Sequence, residues 1–156
     1  MRVRRAVIDD AATLAGLNRL VHEPHLSRRP DYFTSPRLDE VAGWFRAQLE
    51  QTTTAAWVAE EHSVAVGYAL VFFHERPANP FRRARRWCEI DQLGVDPAWR
   101  RRGIGSALMN AALAEASARG VADVELSSWA FNRDAHAMFE RLGFAPRIVV
   151  FERRER

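Results

Sequence analysis

The stretch Leu93-Gly94-Val95-Asp96-Pro97-Ala98-Trp99-Arg100-Arg101-Arg102-Gly103-Ile104-Gly105-Ser106-Ala107-Leu108 decides how this chain folds. It reads as the end of a strand, an Asp-Pro turn, an arginine run and the start of a helix. Gly103 and Gly105 sit where loop becomes helix; lacking Cβ atoms, they let backbone N–H groups approach a ligand closely. The first N–H groups of a helix have no internal partner, and the helix dipole adds partial positive charge there. With Arg100, Arg101 and Arg102 just before them, the site fits a phosphate or pyrophosphate. It is not a dinucleotide fingerprint. Leu108 stands where that motif has its third glycine, and seven residues separate Val95 from Gly103.

Working outward, Trp87–Val95 reads as the strand itself. The helix spans about 103–119 and closes at Gly120, and 121–129 is a second strand. Strand, helix and strand form a βαβ crossover, so the two strands should be parallel. Ala55–Glu61 and Val64–His74 are rich in β-branched and aromatic residues, and His62-Ser63 separates them as the turn of an antiparallel hairpin. Residues 76–86 form a basic loop. At the other end, Val3–Ile8 reads as a first strand. Asp9 or Asp10 then caps a helix that buries Ala11, Leu14, Leu17 and Val21. Pro24 and Pro30 end it, leaving 22–34 as loop or irregular helix. Ser35-Pro36 starts a second helix with the stripe Leu38, Val41, Phe45 and Leu49. A short helix over 132–142 and a closing strand over 144–151 complete the chain. No repeat or linker divides it, so 1–156 reads as one α/β domain, a mixed sheet with helices on its faces.

Composition agrees and excludes. In 156 residues, 47% are hydrophobic and 28% charged, enough for both a core and a solvated surface. All 23 basic residues are arginine. Without lysine there is no Walker A phosphate loop and no pyridoxal phosphate Schiff base. The single cysteine, Cys88, excludes an internal disulfide and a cysteine-rich zinc site. The net charge of +3 suits an anionic ligand. The longest apolar stretch, Val64–Phe73, is far short of the roughly 20 residues of a membrane helix, and Met1–Asp10 has no signal-peptide apolar region. No membrane partner and a cytoplasmic location are expected.

Two motifs together point to a family. Arg100-x-x-Gly103-x-Gly105, after the strand end Leu93-x-Val95-x-Pro97, resembles the acetyl-coenzyme A signature of the GNAT N-acetyltransferases. Asn132-x-x-Ala135-x-x-Met138-Phe139-Glu140-x-Leu142-Gly143-Phe144 resembles that family's second signature. The resemblance implies a mostly antiparallel sheet with a central βαβ unit, whose parallel strands splay to admit the pantetheine arm of acetyl-coenzyme A. By the same resemblance, Leu93, Gly94 and Val95 hold that arm through their backbone. Arg100, Arg101, Arg102, Gly103, Ile104, Gly105 and Ser106 wrap the pyrophosphate. Asn132, which can also cap its helix, contacts the arm, and Phe139 lies near the thioester sulfur. The implied reaction moves an acetyl group to a primary amine of a small molecule or a peptide.

Such a transfer needs a base, because aliphatic amines are protonated near neutral pH. Glu89 and Asp91, two apart on the strand and so on one face, are the candidates. Both match acidic positions used by GNAT members; their bland reading is pairing with loop arginines. Phe139 stands where the family often has a tyrosine that protonates the leaving sulfur. That departure keeps open a second reading, a GNAT-fold module that binds an acyl-coenzyme A without turnover. No metal is expected: His22-Glu23-x-His25 has ligand-like spacing, but Pro24 breaks the helix that would align it. Residues 22–33 fall where acceptor loops vary in the family. The run Phe81–Trp87 reads as solvated loop rather than a nucleic-acid site. Trp44 and Trp57 read as core or interface, and a homodimer is compatible with the sequence.

Overall fold

The computed structural model describes residues 1–154. Five strands, β1 (Arg2–Arg5), β2 (Thr54–Glu61), β3 (Val64–Arg76), β4 (Arg85–Val95) and β5 (Asp123–Leu126), form one sheet in the order β1-β2-β3-β4-β5. The first three pairings are antiparallel and β4–β5 is parallel, as the crossover requires. The β2–β3 turn falls on His62 and Ser63, with φ of 49° and 64°. Two successive left-handed residues make the tight turn whose twist matches a hairpin.

Helices cover both faces: α1 (Ala11–Arg28) and α2 (Leu38–Leu49) on one, α3 (Ile104–Ala118) on the other, with α4 (Arg133–Arg141) after β5. The middle strands are apolar on both faces because both are covered. Along β2, Ala55, Trp57 and Ala59 join the cluster with Ile104, Leu108, Met109 and Ala112 of α3. Their neighbours Ala56 and Val58 join Leu14, Leu17, Phe45 and Tyr68 on the α1–α2 side.

Several expected boundaries move. The first strand stops at Arg5, and residues Ile8–Asp10 form a short 3-10 turn. Asp10 does not cap α1 with its side chain; its carboxylate binds the Arg4 guanidinium through two bonds of 2.8 Å and accepts the Val7 N–H. α1 runs through Pro24 to Arg28. The proline removes one helical bond, but Val21 packs against Gly94 of β4 and Phe33 and Phe131 flank His25, so tertiary contact outweighs the local penalty of about 3 kcal/mol. α2 starts two residues later than the Ser-Pro reading. Arg37 is its N-cap, and Glu40 accepts the Arg37 N–H at 2.9 Å. Leu38 is therefore exposed at the helix start, while Phe45 is fully buried. Trp57 is core and Trp44 is partly exposed. β5 is shorter than expected, and 144–154 does not form the closing strand: it runs without a ladder partner and largely in solvent. Among the described residues no helix is long and apolar enough to cross a membrane.

Candidate active site

The β4–β5 ladder runs from Trp87↔Asp123 to Ile90↔Leu126 and stops. β4 continues to Val95, still paired with β3. The edge of β4 over 91–95 therefore faces no strand, and a cavity of about 340 Å³ opens there. Its walls come from α1 (Asn18, Val21, His22, His25), the freed part of β4, the chain after β5, and α4.

A β-bulge falls where the ladder ends. Leu70 pairs with Gln92 and Val71 with Ile90, so Asp91 is the extra residue. It breaks the alternation on which the sequence reading relied. Cys88, Ile90, Leu93 and Val95 pack on the α3 side, whereas Glu89 and Gln92, three apart, both bond groups on the α1–α2 side. The two acidic residues have different surroundings. Glu89 Oε2 lies 2.7 Å from Nε2 of His74 and is not in the cavity wall. Asp91 is the one carboxylate in that wall. Asp91 keeps solvent contact at the edge of the cleft, and partial desolvation there raises its carboxyl above the ordinary carboxylate range; the Gln92 amide and His74 oppose the shift, and the Glu89 charge adds to it.

Gln92 ties Asp91 to the interior. Its Nε2 donates to Asp91 Oδ2 at 3.1 Å, while its Oε1 accepts from the Tyr68 hydroxyl at 2.8 Å and Asn18 Nδ2 at 3.0 Å. Asn18 also donates to the Tyr68 hydroxyl. Tyr68 is fully buried, so this network fixes which way the Gln92 amide points. Sequence reasoning missed Asn18, Tyr68 and Gln92 as a set. They stand 24 to 74 residues apart, and only the bulge turns Gln92 to that side.

Below the cleft the chain turns through Asp96, whose Oδ1 accepts the Ala98 N–H, and reaches α3 through Arg101 and Gly103, with φ of 60° and 80°. Gly103 is the N-cap, and the first helical bond runs from Ala107 N to Gly103 O. The N–H groups of Ile104, Gly105 and Ser106 precede it and so have no helical partner. Ile104 anchors the turn with a buried side chain. All three arginines are exposed; Arg100 Nε donates to the Val95 carbonyl and Arg102 stacks on Trp99 at 4.8 Å. A Cβ on Gly105 would lie 3.2 Å from Met138 Sδ, so α3 starts close against α4.

On the far side, Asn132 and Phe139 line the cavity. Asn132 precedes α4 without capping it by its side chain. Phe139 packs edge-on to Phe144 at 6.3 Å. Aromatic rings line one side of the cavity: Trp129 meets Phe33 at 5.6 Å and Tyr32 at 5.1 Å, and Arg29 covers Trp129 at 4.6 Å. His22 and His25 each bond a backbone carbonyl, of Thr34 and Val21.

A family model described as acetyltransferase (GNAT) matches residues 16–144, which takes in the cleft, the arginine turn and α4. The chain belongs to the GNAT acetyltransferase family. A tetramutant of the BH1408 protein from Bacillus halodurans shares the fold of this GNAT chain at TM-score 0.93 and 26% identity, over 99% of this chain and 100% of that one. A predicted acetyltransferase from Clostridium acetobutylicum, solved with acetyl-CoA, shares it at TM-score 0.74 and 19% identity, over 98% and 95%. A mycothiol acetyltransferase from Beutenbergia cavernae is 48% identical over 61 residues, 39% of this chain and 20% of that protein. The chain spans less than a third of the length of the curated relatives it matches over such short segments.

Proposed function

We propose that this GNAT chain transfers an acetyl group from acetyl-coenzyme A to a primary amine, on a small molecule or a peptide, by direct attack in a ternary complex. The observation that carries the reading is Asp91: the single carboxylate of the cleft, raised as a base and held by Gln92, stands where β4 and β5 part. In this reading the backbone of Leu93, Gly94 and Val95 holds the pantetheine arm. Arg100–Ser106 holds the pyrophosphate, Asn132 bonds the arm, and Phe139 gives an apolar contact at the thioester. The fold shared with the acetyl-CoA-bound Clostridium protein supports that choice of donor.

The amine enters past Phe33 and Trp129. Asp91 takes one proton of the ammonium group, the freed lone pair forms a bond to the thioester carbon, and the C–S bond then breaks; the second proton of the nitrogen passes to the departing coenzyme A thiolate, which leaves as the thiol. Positioning and proton removal supply the acceleration. A thiol is acidic enough, with a pKa of about 8.5, to leave without a proton donor at Phe139. Glu89, held by His74, acts on Asp91 through its charge. Phe139 favours one other reading, an acyl-coenzyme A-binding module without turnover. Thiol release from acetyl-coenzyme A with a panel of primary amines tests both. Acetylated product supports transfer, and tight donor binding without release with any amine supports the module.

A further inference from the structure

Two histidines of α1, His22 and His25, stand in the cleft wall on one face of the helix. A neutral imidazole has one donor and one acceptor, and the bond made by one nitrogen decides what the other can do. His22 Nε2 lies 2.6 Å from the Thr34 carbonyl oxygen, so that nitrogen holds the proton and the ring ties α1 to the loop behind Phe33. Its lone pair is left on Nδ1, the nitrogen nearer the backbone.

His25 is held the other way round. Its Nδ1 lies 2.8 Å from the Val21 carbonyl oxygen, which can only accept, so Nδ1 holds the proton and Nε2 keeps a lone pair at the outer end of the ring. Phe33 and Phe131 flank that ring at 5.5 and 5.9 Å and fix its place. Among the described residues Nε2 has no hydrogen-bond partner. A fixed acceptor among apolar rings is the kind of polar point by which a pocket selects its ligand.

Its distance from Asp91 says which part of the ligand it meets. Asn18 bonds Gln92, the partner of Asp91, and Val21 packs at Gly94, so α1 runs along β4 away from the carboxylate. From Asn18 to His25 is about 10 Å along the helix axis. His25 therefore meets the body of the acceptor rather than its reacting nitrogen. Arg28, with no ion-pair partner among the described residues, stacks on Phe131 at 5.2 Å and sets a positive charge beside the ring pair. A second ammonium is repelled there, whereas a hydroxyl donates without charge.

We propose that His25 determines acceptor choice: Nε2 accepts a hydrogen bond from a hydroxyl of the acceptor while Asp91 takes a proton from its amine, so the preferred acceptor is a hydroxylated primary amine with the two groups several bonds apart. The inference rests on the acetyl-transfer reading, because it takes Asp91 as the place of the reacting nitrogen. An amine without the hydroxyl leaves the Nε2 lone pair unmet, and a site built for a hydroxyl discriminates against that analogue.

Matched pairs test it: ω-aminoalkanols from propyl to hexyl, each beside the alkylamine of the same chain, with acetyl-coenzyme A and thiol release as the assay. In the wild type the best aminoalkanol should exceed its alkylamine in kcat/KM by about threefold to tenfold. His25→Asn keeps a donor for the Val21 carbonyl but removes the outer acceptor, and should erase that preference. His25→Gln places its amide oxygen near the position of Nε2 and should restore part of it. A purely structural ring would give the opposite order. Imidazole nitrogen NMR of the coenzyme A-bound protein gives a readout without turnover: His25 should show Nε2 unprotonated, with a signal that moves on adding the aminoalkanol and not the alkylamine. No thiol release with any amine would end the acetyl-transfer reading, while that selective movement would still support the hydroxyl site. A protonated Nε2, equal values within every pair, a preference that survives in His25→Asn, or a coenzyme A affinity that falls in step with the preference would each overturn the proposal.

Discussion

Replacing Asp91 by Asn isolates proton removal from every other part of the site. Asn is nearly isosteric and can still accept from Gln92 Nε2, now at 3.1 Å, so the bulge and the cleft should persist. An alkyl amine with a pKa near 10.4 is neutral in only about one molecule per thousand at pH 7.4, so in the proposed reaction Asp91 exposes the lone pair. Loss of a general base costs about 10²–10⁴ in rate, or about 3–5 kcal/mol of barrier at 1.36 kcal/mol per decade. The variant must wait for the free amine. Its log kcat/KM should therefore climb by about one per pH unit until the amine pKa, closing the gap to the wild type in alkali. On the acid side, burial raises the Asp91 carboxyl. Wild-type activity should accordingly fall away at a pH above the ordinary carboxylate range. Thiol-release kinetics across pH, beside calorimetric donor affinity, checks each part. Cys88 will not disturb the assay, because it is buried and its thiol is pushed up to about 11 by burial. Full activity of Asp91→Asn, with a profile parallel to the wild type, would refute the base assignment and leave proton loss to water.

Gly94→Ala should lower Tm, because the new Cβ would run into Val21 and lie 2.8 Å from Tyr68 Cε1, a ring pinned by Asn18 and Gln92. Overpacking of this kind costs about 1–3 kcal/mol, and a melting curve indistinguishable from wild type would show that α1 yields freely. Gly105→Val should keep the fold, since Met138 Sδ is the flexible end of its side chain, yet strongly weaken coenzyme A binding by filling the cradle. Arg101→Ala should weaken it only a few-fold, because an exposed charge contributes about 0–1 kcal/mol; calorimetry giving the reverse order would move the cradle off the backbone. Asp10→Asn removes a carboxylate that the Arg4 guanidinium holds below its ordinary pKa. That stability is fully present above the ordinary carboxylate pKa and is lost as pH falls from there through the lowered pKa of the folded state. The variant should thus lose about 1.5–3 kcal/mol at neutral pH, and denaturant curves should converge with wild type in acid.

What the sequence determined by itself is local. Gly103 and Gly105 before an apolar helix, the turn at His62-Ser63 and the spacing of strand, helix and strand are set by backbone sterics and by periodicities of a few residues. These marked the glycine-opened start of α3, the hairpin and the parallel pair, and the motif residues around Arg100 and Asn132 marked the family. The elements that moved were those where distant contacts outweigh local preference. Pro24 predicts a helix end, but packing on β4, Phe33 and Phe131 carries α1 four residues further. Residues 144–151 have strand composition, but a strand exists only where an edge receives it, and the segment makes no ladder with β5. The acid–base site divides in the same way. Both carboxylates are visible in the sequence, whereas their separation into one in the cleft and one bound to His74 is not. A single inserted residue at Asp91 resets the alternation of the whole strand beyond it, and that bulge is a property of the β3–β4 register rather than of any local run of residues.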